Sequence, residues 1–250
     1  MDASGYLARL GAPAPEKPGL DALGALQRAH LLRVPFENLD IHRGVEIRLE
    51  LPRLYEKIVR RGRGGFCYEL NGLFAWLLAS LGYAVDHVSA RVYDAASGTF
   101  SAEFDHLALL VHLDRTYLVD VGFGDSARTP IPLPDGVAED LSGRYRVVEQ
   151  TPETFCLDRR ESDGWRAQHA FSTTPHPLDA FAAMCAHHQT SPDSHFTRNR
   201  VITLATPRGR VTLTPKSLKL TQDGALHETP LKSPDEFDAL LKQHFGLQFQ

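Results

Sequence analysis

The spacing of apolar residues changes near residue 84, and this change limits what the chain can fold into. Before that point apolar residues recur at steps of three and four, as at Leu70, Leu73, Phe74 and Leu77, which is the period of one helix face. From there to residue 171, short apolar segments follow one another with turn residues between them, and no segment has the helical period. Consecutive short strands predict an antiparallel sheet or a small barrel. The predicted strands span residues 85–93, 106–111, 116–121, 145–149, 155–158 and 165–171.

The last third of the chain mixes both periods. An apolar stripe after Pro177 predicts a helix, and the segment from Ser233 to Glu236 has the form of a capping box that starts a C-terminal helix. We predict a long ordered loop for the proline-rich residues 124–144. Short strands are predicted at residues 201–204, 211–213 and 218–220.

Composition excludes several classes of protein. The formal net charge of −4 offers no basic surface for nucleic acid or an anionic membrane. Three scattered cysteines are too few for a disulfide framework, so we expect a reduced, cytoplasmic setting. We recognise no secretory signal at the N-terminus and no apolar run of the roughly 20 residues that a membrane helix needs.

The segment around Cys67 has the features of a reactive thiol. Gly64 and Gly65 precede it as a turn, and the helical period follows, so Cys67 is predicted in the first turn of a buried helix. Free N–H groups and the helix dipole favour a thiolate there, which would lower the pKa of the thiol. The competing interpretation is a buried core cysteine without reactivity.

A histidine and a carboxylate follow on two neighbouring predicted strands. His106 opens one strand and Asp120 closes the next, and their separation of 14 is even. With the odd-length loop 113–115 between the strands, both side chains would lie on one face, one pairing step apart. The sequence permits this contact without proving it, because both residue types are ordinary at strand ends. Cysteine, histidine and aspartate are the three parts of an activated thiol nucleophile.

Two other candidate sites, one for a metal and one for a nucleotide, match known sequence patterns less well. Cys185, His187, His188 and His195 have no standard zinc spacing, so we predict no metal site. The glycines from Gly62 to Gly65 lack the lysine and hydroxyl residue of a nucleotide-binding loop.

Several motifs together resemble the arylamine N-acetyltransferases. They are Arg63-Gly-Gly-Phe-Cys-Tyr-Glu69, Val34-Pro-Phe-Glu-Asn-Leu39, His106 at the start of its strand, Asp120-Val-Gly-Phe-Gly124 and Ser191-Pro-Asp-Ser-His-Phe196. The resemblance spans most of the chain. Any one motif alone would be weak, but their shared order is specific to this family.

The resemblance implies an α+β fold with three parts. These are an N-terminal helical bundle over residues 1–83, a central antiparallel β-barrel over 84–175 and a C-terminal α/β lid over 176–250. It also implies ping-pong acetyl transfer from acetyl-CoA to an aromatic amine or hydrazine, with no tightly bound cofactor, and a place in xenobiotic metabolism.

The resemblance also assigns roles to residues. Cys67 would be the acetylated nucleophile, His106 the base, and Asp120 the group that orients it. Three aromatic residues, which could otherwise be plain core residues, match the acceptor pocket: Phe36, Phe123 and Phe196. Three further residues have matches: Gly124 near the coenzyme, and Glu37 with Arg63 as an ion pair that supports the nucleophile.

Three other functions remain open at this stage. A cysteine hydrolase could use the same three residues, but its acyl-enzyme would be open to water. An amide synthase of the same fold would close a large ring from a carrier-bound chain and would not turn over acetyl-CoA. A small-molecule carrier built on the barrel would bind aromatic compounds and leave Cys67 unreactive.

Overall fold

The computed structural model describes residues 1–249, and the N-terminal third of these is mainly helical. Asp2 caps the first helix by accepting from the backbone N–H groups of Ser4 and Gly5, and Gly11 ends it in the left-handed conformation. The helices are α1 Ala3–Leu10, α2 Leu20–Arg33, α3 Leu39–His42, α4 Leu51–Tyr55 and α5 Cys67–Ser80. A π-helical turn, Glu56–Arg60, follows α4 directly.

Helix α5 is the centre of this part. Its side chains are buried almost all round, with Leu70, Leu73 and Leu77 fully inaccessible. It packs against α1 and α4 on one side and against the barrel strands on the other, within one continuous hydrophobic cluster. A helix that is apolar on every side is stable only inside a core.

The middle of the chain forms a nearly closed antiparallel barrel. Its main strands follow the order β6-β5-β4-β2-β10-β9-β8-β7, and a short strand β3, Thr99–Phe100, pairs with β2 outside this path. The strands are β2 Ala84–Asp94, β4 His106–His112, β5 Thr116–Val119, β6 Ile131–Pro132, β7 Val137–Asp140, β8 Gly143–Thr151, β9 Thr154–Glu161 and β10 Gly164–His176.

The prediction of a long loop over residues 124–144 was wrong. This stretch contains β6 and β7, which form the two ends of the barrel sheet. The backbone N–H of Val147 donates to the oxygen of Gly136 at 2.9 Å, so the segment between β6 and β7 lies against β8 and helps to close the barrel. Proline is compatible with such edge strands because an edge position needs no donor on its outer side.

Strand β4 is buried on both faces, which explains its continuous apolar sequence. Leu107 and Leu109 belong to the cluster that includes α5, whereas Ala108 and Leu110 belong to the cluster inside the barrel. The even-numbered residues of β4, including His106, therefore share the inner face of the barrel.

The C-terminal part carries a second antiparallel sheet, with the order β1-β11-β12-β13-β14. Ser233 caps the last helix as predicted, and its hydroxyl accepts from the backbone of Glu236. The strands are β1 Phe36–Glu37, β11 Ile202–Thr206, β12 Gly209–Leu213, β13 Ser217–Gln222 and β14 Ala225–Pro230. The helical segments are a 3-10 turn Leu178–Phe181, α6 Ala182–Thr190, α7 His195–Arg198 and α8 Pro234–Phe245.

Strand β1 was missed in the prediction of a helical N-terminal third. It pairs with β11 in the C-terminal sheet, with Phe36 opposite Thr203. The α+β class with a barrel is confirmed, whereas the boundaries at residues 83 and 175 stay a prediction. Among residues 1–249, no helix is both long and apolar enough to cross a membrane.

Candidate active site

Cys67 is the first residue of α5, as predicted, and it is only 3% exposed. The two preceding glycines are required by close packing. A Cβ on Gly64 would lie 1.9 Å from the backbone oxygen of Pro35, and a Cβ on Gly65 would lie 2.7 Å from a carboxylate oxygen of Glu69. The turn before Cys67 can therefore pass this close to its neighbours only without side chains.

His106 and Asp120 are in contact. Leu109 pairs with Val119, so the register places Asp120 one pairing step from His106 on the same face. Nε2 of His106 lies 2.7 Å from Oδ2 of Asp120, and the two side chains are 3% and 4% exposed. An ionised carboxylate only accepts hydrogen bonds, so Nε2 donates and Nδ1 is left to accept a proton.

Hydrogen bonds of Asn71 connect this pair to the helix that begins at Cys67. Its Nδ2 donates to the oxygen of Leu107 at 2.7 Å and to Oδ1 of Asp120 at 2.9 Å. Its Oδ1 accepts from the backbone N–H of Val121 at 2.9 Å. Asn71 lies four residues after Cys67, which places both on one face of α5. That spacing was a usable signal, but no role was predicted for Asn71 from the sequence.

The surroundings of Cys67 disfavour the ionised form of its thiol when no cation lies beside it. Burial raises the pKa of the Cys67 thiol well above its ordinary value, and the backbone of Leu107 lowers that pKa too little to compensate. The negative charges of Asp120 and Asp105 raise it further. The expectation that the helix start lowers this pKa was therefore wrong, because desolvation by burial is the largest contribution and raises it. A thiolate here needs a cation beside it.

Asp120 is held ionised. Burial alone would raise the pKa of its carboxyl, but the charge and hydrogen bond of His106, together with His169 and Asn71, bring the pKa below its usual range. Its Oδ1 also accepts from the backbone N–H of Gly122 at 2.8 Å. An ionised, fully bonded Asp120 can stabilise a positive charge on His106.

A second histidine, His169 on β10, lies beside the pair. Its side chain is 0% exposed, and neither ring nitrogen has a hydrogen-bond partner among residues 1–249. Nε2 of His169 lies 3.8 Å from Oδ2 of Asp120, too far for a hydrogen bond. Burial and the charge of His106 lower the pKa of His169 to about 3. His169 was not predicted from the sequence, because nothing local marks position 169 as close to residue 120.

Of the three aromatic residues of the expected acceptor pocket, Phe123 contacts His106, and Phe36 and Phe196 contact each other. The ring of Phe123 packs edge-on against His106 at 5.2 Å between centroids. Phe36 and Phe196 lie 6.1 Å apart, and a Cβ on Gly124 would lie 3.7 Å from the Phe36 ring. All three rings are partly exposed, unlike those of fully buried core aromatics.

Asn38, which follows Phe36 and Glu37 in the motif, fixes Phe196 in place. Its Nδ2 donates to the oxygens of Phe196 at 3.0 Å and of Asn199 at 2.7 Å. Its Oδ1 accepts from the backbone N–H of Val201 at 2.9 Å. The N-terminal part therefore positions an aromatic residue of the C-terminal part.

Five buried charges surround the start of α5. Nη2 of Arg63 lies 2.7 Å from Oε1 of Glu37 and 3.0 Å from Oδ1 of Asp40. Nζ of Lys57 lies 2.9 Å from Oδ2 of Asp40 and 2.8 Å from Oε1 of Glu69. The Glu37–Arg63 contact was predicted, whereas Asp40, Lys57 and Glu69 were not. Glu69 stands two residues after Cys67, and its carboxylate accepts from the backbone N–H of Phe66 at 3.2 Å.

The four residues that resembled a metal cluster do not come together as one set. His188 contacts Ser194 at 3.0 Å and Asp105 at 3.1 Å, and His195 contacts Asn199 at 3.2 Å. Cys185 instead receives a hydrogen bond from Gln189 within its own helix, at 3.3 Å.

Comparisons with known proteins agree with this fold. A family model described as N-acetyltransferase matches residues 19–250. A Gallus gallus protein, the pineal gland isozyme NAT-3 of arylamine N-acetyltransferase, is 33% identical over 276 residues, which cover 99% of this chain and 94% of the relative.

Solved structures give the same result. The M. smegmatis arylamine N-acetyltransferase aligns with a TM-score of 0.91 and 32% identity, covering 99% of this chain and 93% of that one. A Bacillus cereus arylamine N-acetyltransferase, described as having a unique Cys-His-Glu catalytic triad, aligns with a TM-score of 0.92 and 27% identity over 100% of both chains. This chain has Asp120 as the acidic partner of its histidine. The chain belongs to the arylamine N-acetyltransferase family of enzymes.

Proposed function

We propose that the chain transfers an acetyl group from acetyl-CoA to an aromatic amine or hydrazine through an acetyl-Cys67 intermediate. The observation that carries this proposal is the His106–Asp120 contact of 2.7 Å. A hydrogen bond from Asn71 to Asp120 connects this pair to the helix that begins at Cys67. Membership in the family supports the choice of donor and acceptor.

In the first step, Cys67 attacks the thioester carbonyl of acetyl-CoA. Because burial raises the pKa of the thiol, its proton has to move to Nδ1 of His106 as the new carbon–sulfur bond forms. Asp120 stabilises the imidazolium that results. The coenzyme then leaves as a thiol, taking the proton from His106, and Cys67 holds the acetyl group as a thioester of similar energy.

In the second step, the acceptor amine attacks the acetyl-Cys67 carbonyl. His106 accepts the amine proton and returns it to the sulfur of Cys67, so that the product amide leaves and the thiol is restored. Aromatic amines are weak bases and are neutral at physiological pH, which suits them to this attack.

The remaining residues are proposed to serve binding and support. Phe36, Phe123 and Phe196 form the aromatic wall for the acceptor, because flat rings gain from burial and stacking. The backbone at Gly124, with a φ of 90°, is proposed to lie against the coenzyme. Glu37, Arg63 and their charged neighbours are proposed to hold the start of α5 in place.

The cellular location, metabolic role and binding partners of the protein are also proposals. Free Cys67, Cys156 and Cys185 support a reduced, cytoplasmic location, and a role in xenobiotic metabolism would follow from the acceptor class. We propose no nucleic-acid or membrane partner. The division into a helical part, a barrel and a lid at residues 83 and 175 is also proposed.

The test is mass spectrometry of the intact protein after brief exposure to acetyl-CoA without an acceptor. We expect one added acetyl group, located on Cys67 by peptide mapping and discharged by an arylamine. Cys67→Ser should gain none, whereas Cys156→Ala, which removes a buried barrel cysteine, should behave like the parent. Initial rates with both substrates should give parallel double-reciprocal lines.

The same experiment separates the alternatives. Rapid loss of the acetyl group to water without an acceptor would indicate a cysteine hydrolase. Absence of acetyl-Cys67, with acylation by a carrier-bound chain instead, would indicate an amide synthase. Intersecting lines with no acetyl-Cys67 would contradict the two-step route.

A further inference from the structure

His169 has two unused ring nitrogens in a site that is closed to water. The side chain is 0% exposed, and it is packed against Phe123 and His106 with ring centroids 5.1 and 5.3 Å away. A buried imidazole usually has a partner for at least one nitrogen, because an unsatisfied polar group costs free energy. The nearest charged atom is Oδ2 of Asp120.

This oxygen of Asp120 is the one that is open to further bonding. Oδ1 already accepts from Asn71 at 2.9 Å and from Gly122 at 2.8 Å. Oδ2 accepts only from His106, and Nε2 of His169 faces it at 3.8 Å. The three side chains each offer one ligand atom, and these atoms all lie within 4.8 Å of one another.

The spacing of these atoms is close to that of a tetrahedral metal site. Ligand distances of about 2.0–2.1 Å place the ligand atoms roughly 3.3 Å apart around Zn²⁺. The Oδ2 of Asp120 lies 2.7 Å from Nε2 of His106 and 3.8 Å from Nε2 of His169. One distance is short and the other long by about half an ångström each, so small shifts in opposite directions would equalise them.

We propose that His106, Asp120 and His169 form an inhibitory site for a divalent transition metal, of which Zn²⁺ is the best match. Two imidazoles and one carboxylate are ligands that this ion accepts. On binding, the metal takes the lone pair of Nε2 of His106, and the single proton of the neutral imidazole moves to Nδ1. Nδ1 then cannot accept the proton of Cys67, so Cys67 loses its base and acetylation stops until the metal dissociates.

The test measures metal binding rather than activity, so it stands apart from the acetyl-transfer proposal. The protein is Cys67→Ser, because a thiol would bind the metal by itself. Co²⁺ is titrated in, and the visible absorption is followed, since its intensity reports tetrahedral coordination. Zn²⁺ affinity is measured by competition with a chromophoric chelator. We expect one tetrahedral Co²⁺ per chain and its displacement by Zn²⁺.

Adding His169→Phe should abolish the tetrahedral signal. Zn²⁺ affinity should fall by more than the roughly 10–100-fold that loss of an outer-shell partner costs. His169→Leu is made in parallel, and only variants that melt cooperatively are compared. The matched control adds His112→Phe, which removes the half-exposed histidine that contacts Asp86 at 2.8 Å, and it should bind like Cys67→Ser alone.

Three results would overturn the proposal. They are unchanged binding when His169 is replaced, loss of binding in the His112 control, and binding by the parent but not by Cys67→Ser. The last result would assign the metal to the thiol.

Discussion

Replacing Lys57 with methionine should destabilise the protein severely and displace the start of α5. Lys57 is 8% exposed, and its ammonium is shared by two buried carboxylates, Asp40 at 2.9 Å and Glu69 at 2.8 Å. Methionine keeps most of the apolar stem and removes only the charge. The substitution therefore isolates the electrostatic contribution.

The two carboxylates would be affected differently. Asp40 keeps Arg63 at 3.0 Å, whereas Glu69 keeps only a neutral N–H, that of Phe66, at 3.2 Å. One buried carboxylate is thus left without a counterion, and such a loss costs about 3–5 kcal/mol. That is a large share of the roughly 5–15 kcal/mol that stabilises a typical domain.

The assay is denaturant unfolding of matched variants. Arg60→Met is the control, because its side chain is 69% exposed and its contact with Glu56 is 3.4 Å, so it should cost about 0–1 kcal/mol. Adding Glu69→Gln to Lys57→Met removes the buried carboxylate charge that has lost its counterion, and it keeps a side-chain oxygen that can accept from the backbone N–H of Phe66. This double variant should regain about 1–3 kcal/mol relative to Lys57→Met.

The deficit of Lys57→Met should also depend on pH. Burial raises the pKa of Glu69 above its usual range even though Lys57 lowers it, so loss of Lys57 raises that pKa further. A group whose folded pKa is raised favours the folded state at low pH, and this contribution is lost as pH rises through that pKa. The deficit should therefore shrink on acidification. A deficit independent of pH, or one equal to that of Arg60→Met, would refute this account.

Three further predictions concern the neighbouring residues. Arg63→Met should lower the free energy of unfolding by about 3–5 kcal/mol because Glu37 loses its counterion; denaturant unfolding measures this, and a parent-like value would contradict it. His106→Ala should move the alkylation of Cys67 by iodoacetamide to higher pH, since burial and the charge of Asp120 then keep the thiol pKa raised with no proton acceptor beside it; an unchanged pH profile would remove His106 as the proton acceptor. Asn71→Ala should lower the rate of Cys67 acetylation about 10- to 100-fold, followed by rapid-quench mass spectrometry, because a misplaced base can cost that much; equal rates would show that Asp120 is held without it.

Much of the fold follows from local sequence. The helical period around Leu70 and Leu77 predicts α5, the capping box at Ser233 predicts α8, and the odd-length loop 113–115 predicts the register of β4 with β5. These features depend on residues close together in the chain, where period, capping and parity act directly. The shared face of His106 and Asp120 was available for the same reason.

Other parts of the fold escaped the prediction. Strand β6 has two residues, one of them Pro132, β7 has four residues, and β1 has two. Such segments carry too little periodicity to be recognised, and they are strands only because distant strands supply their partners.

The sequence by itself placed Cys67 at the start of a helix, His106 and Asp120 on one face of neighbouring strands, and a glycine turn in front of Cys67, because each of these features has a local signature. Only the tertiary structure decided that Asn71 bridges helix and barrel, that Lys57 and Asp40 join the Glu37–Arg63 pair, and that His169 lies beside Asp120. These contacts join residues up to 50 positions apart, in the case of Asn71 and Val121. Burial also raises the pKa of the Cys67 thiol, where the sequence predicted that it would be lowered. Desolvation depends on all the side chains packed around the sulfur, whereas the start of a helix can be predicted from the residues of its first turn.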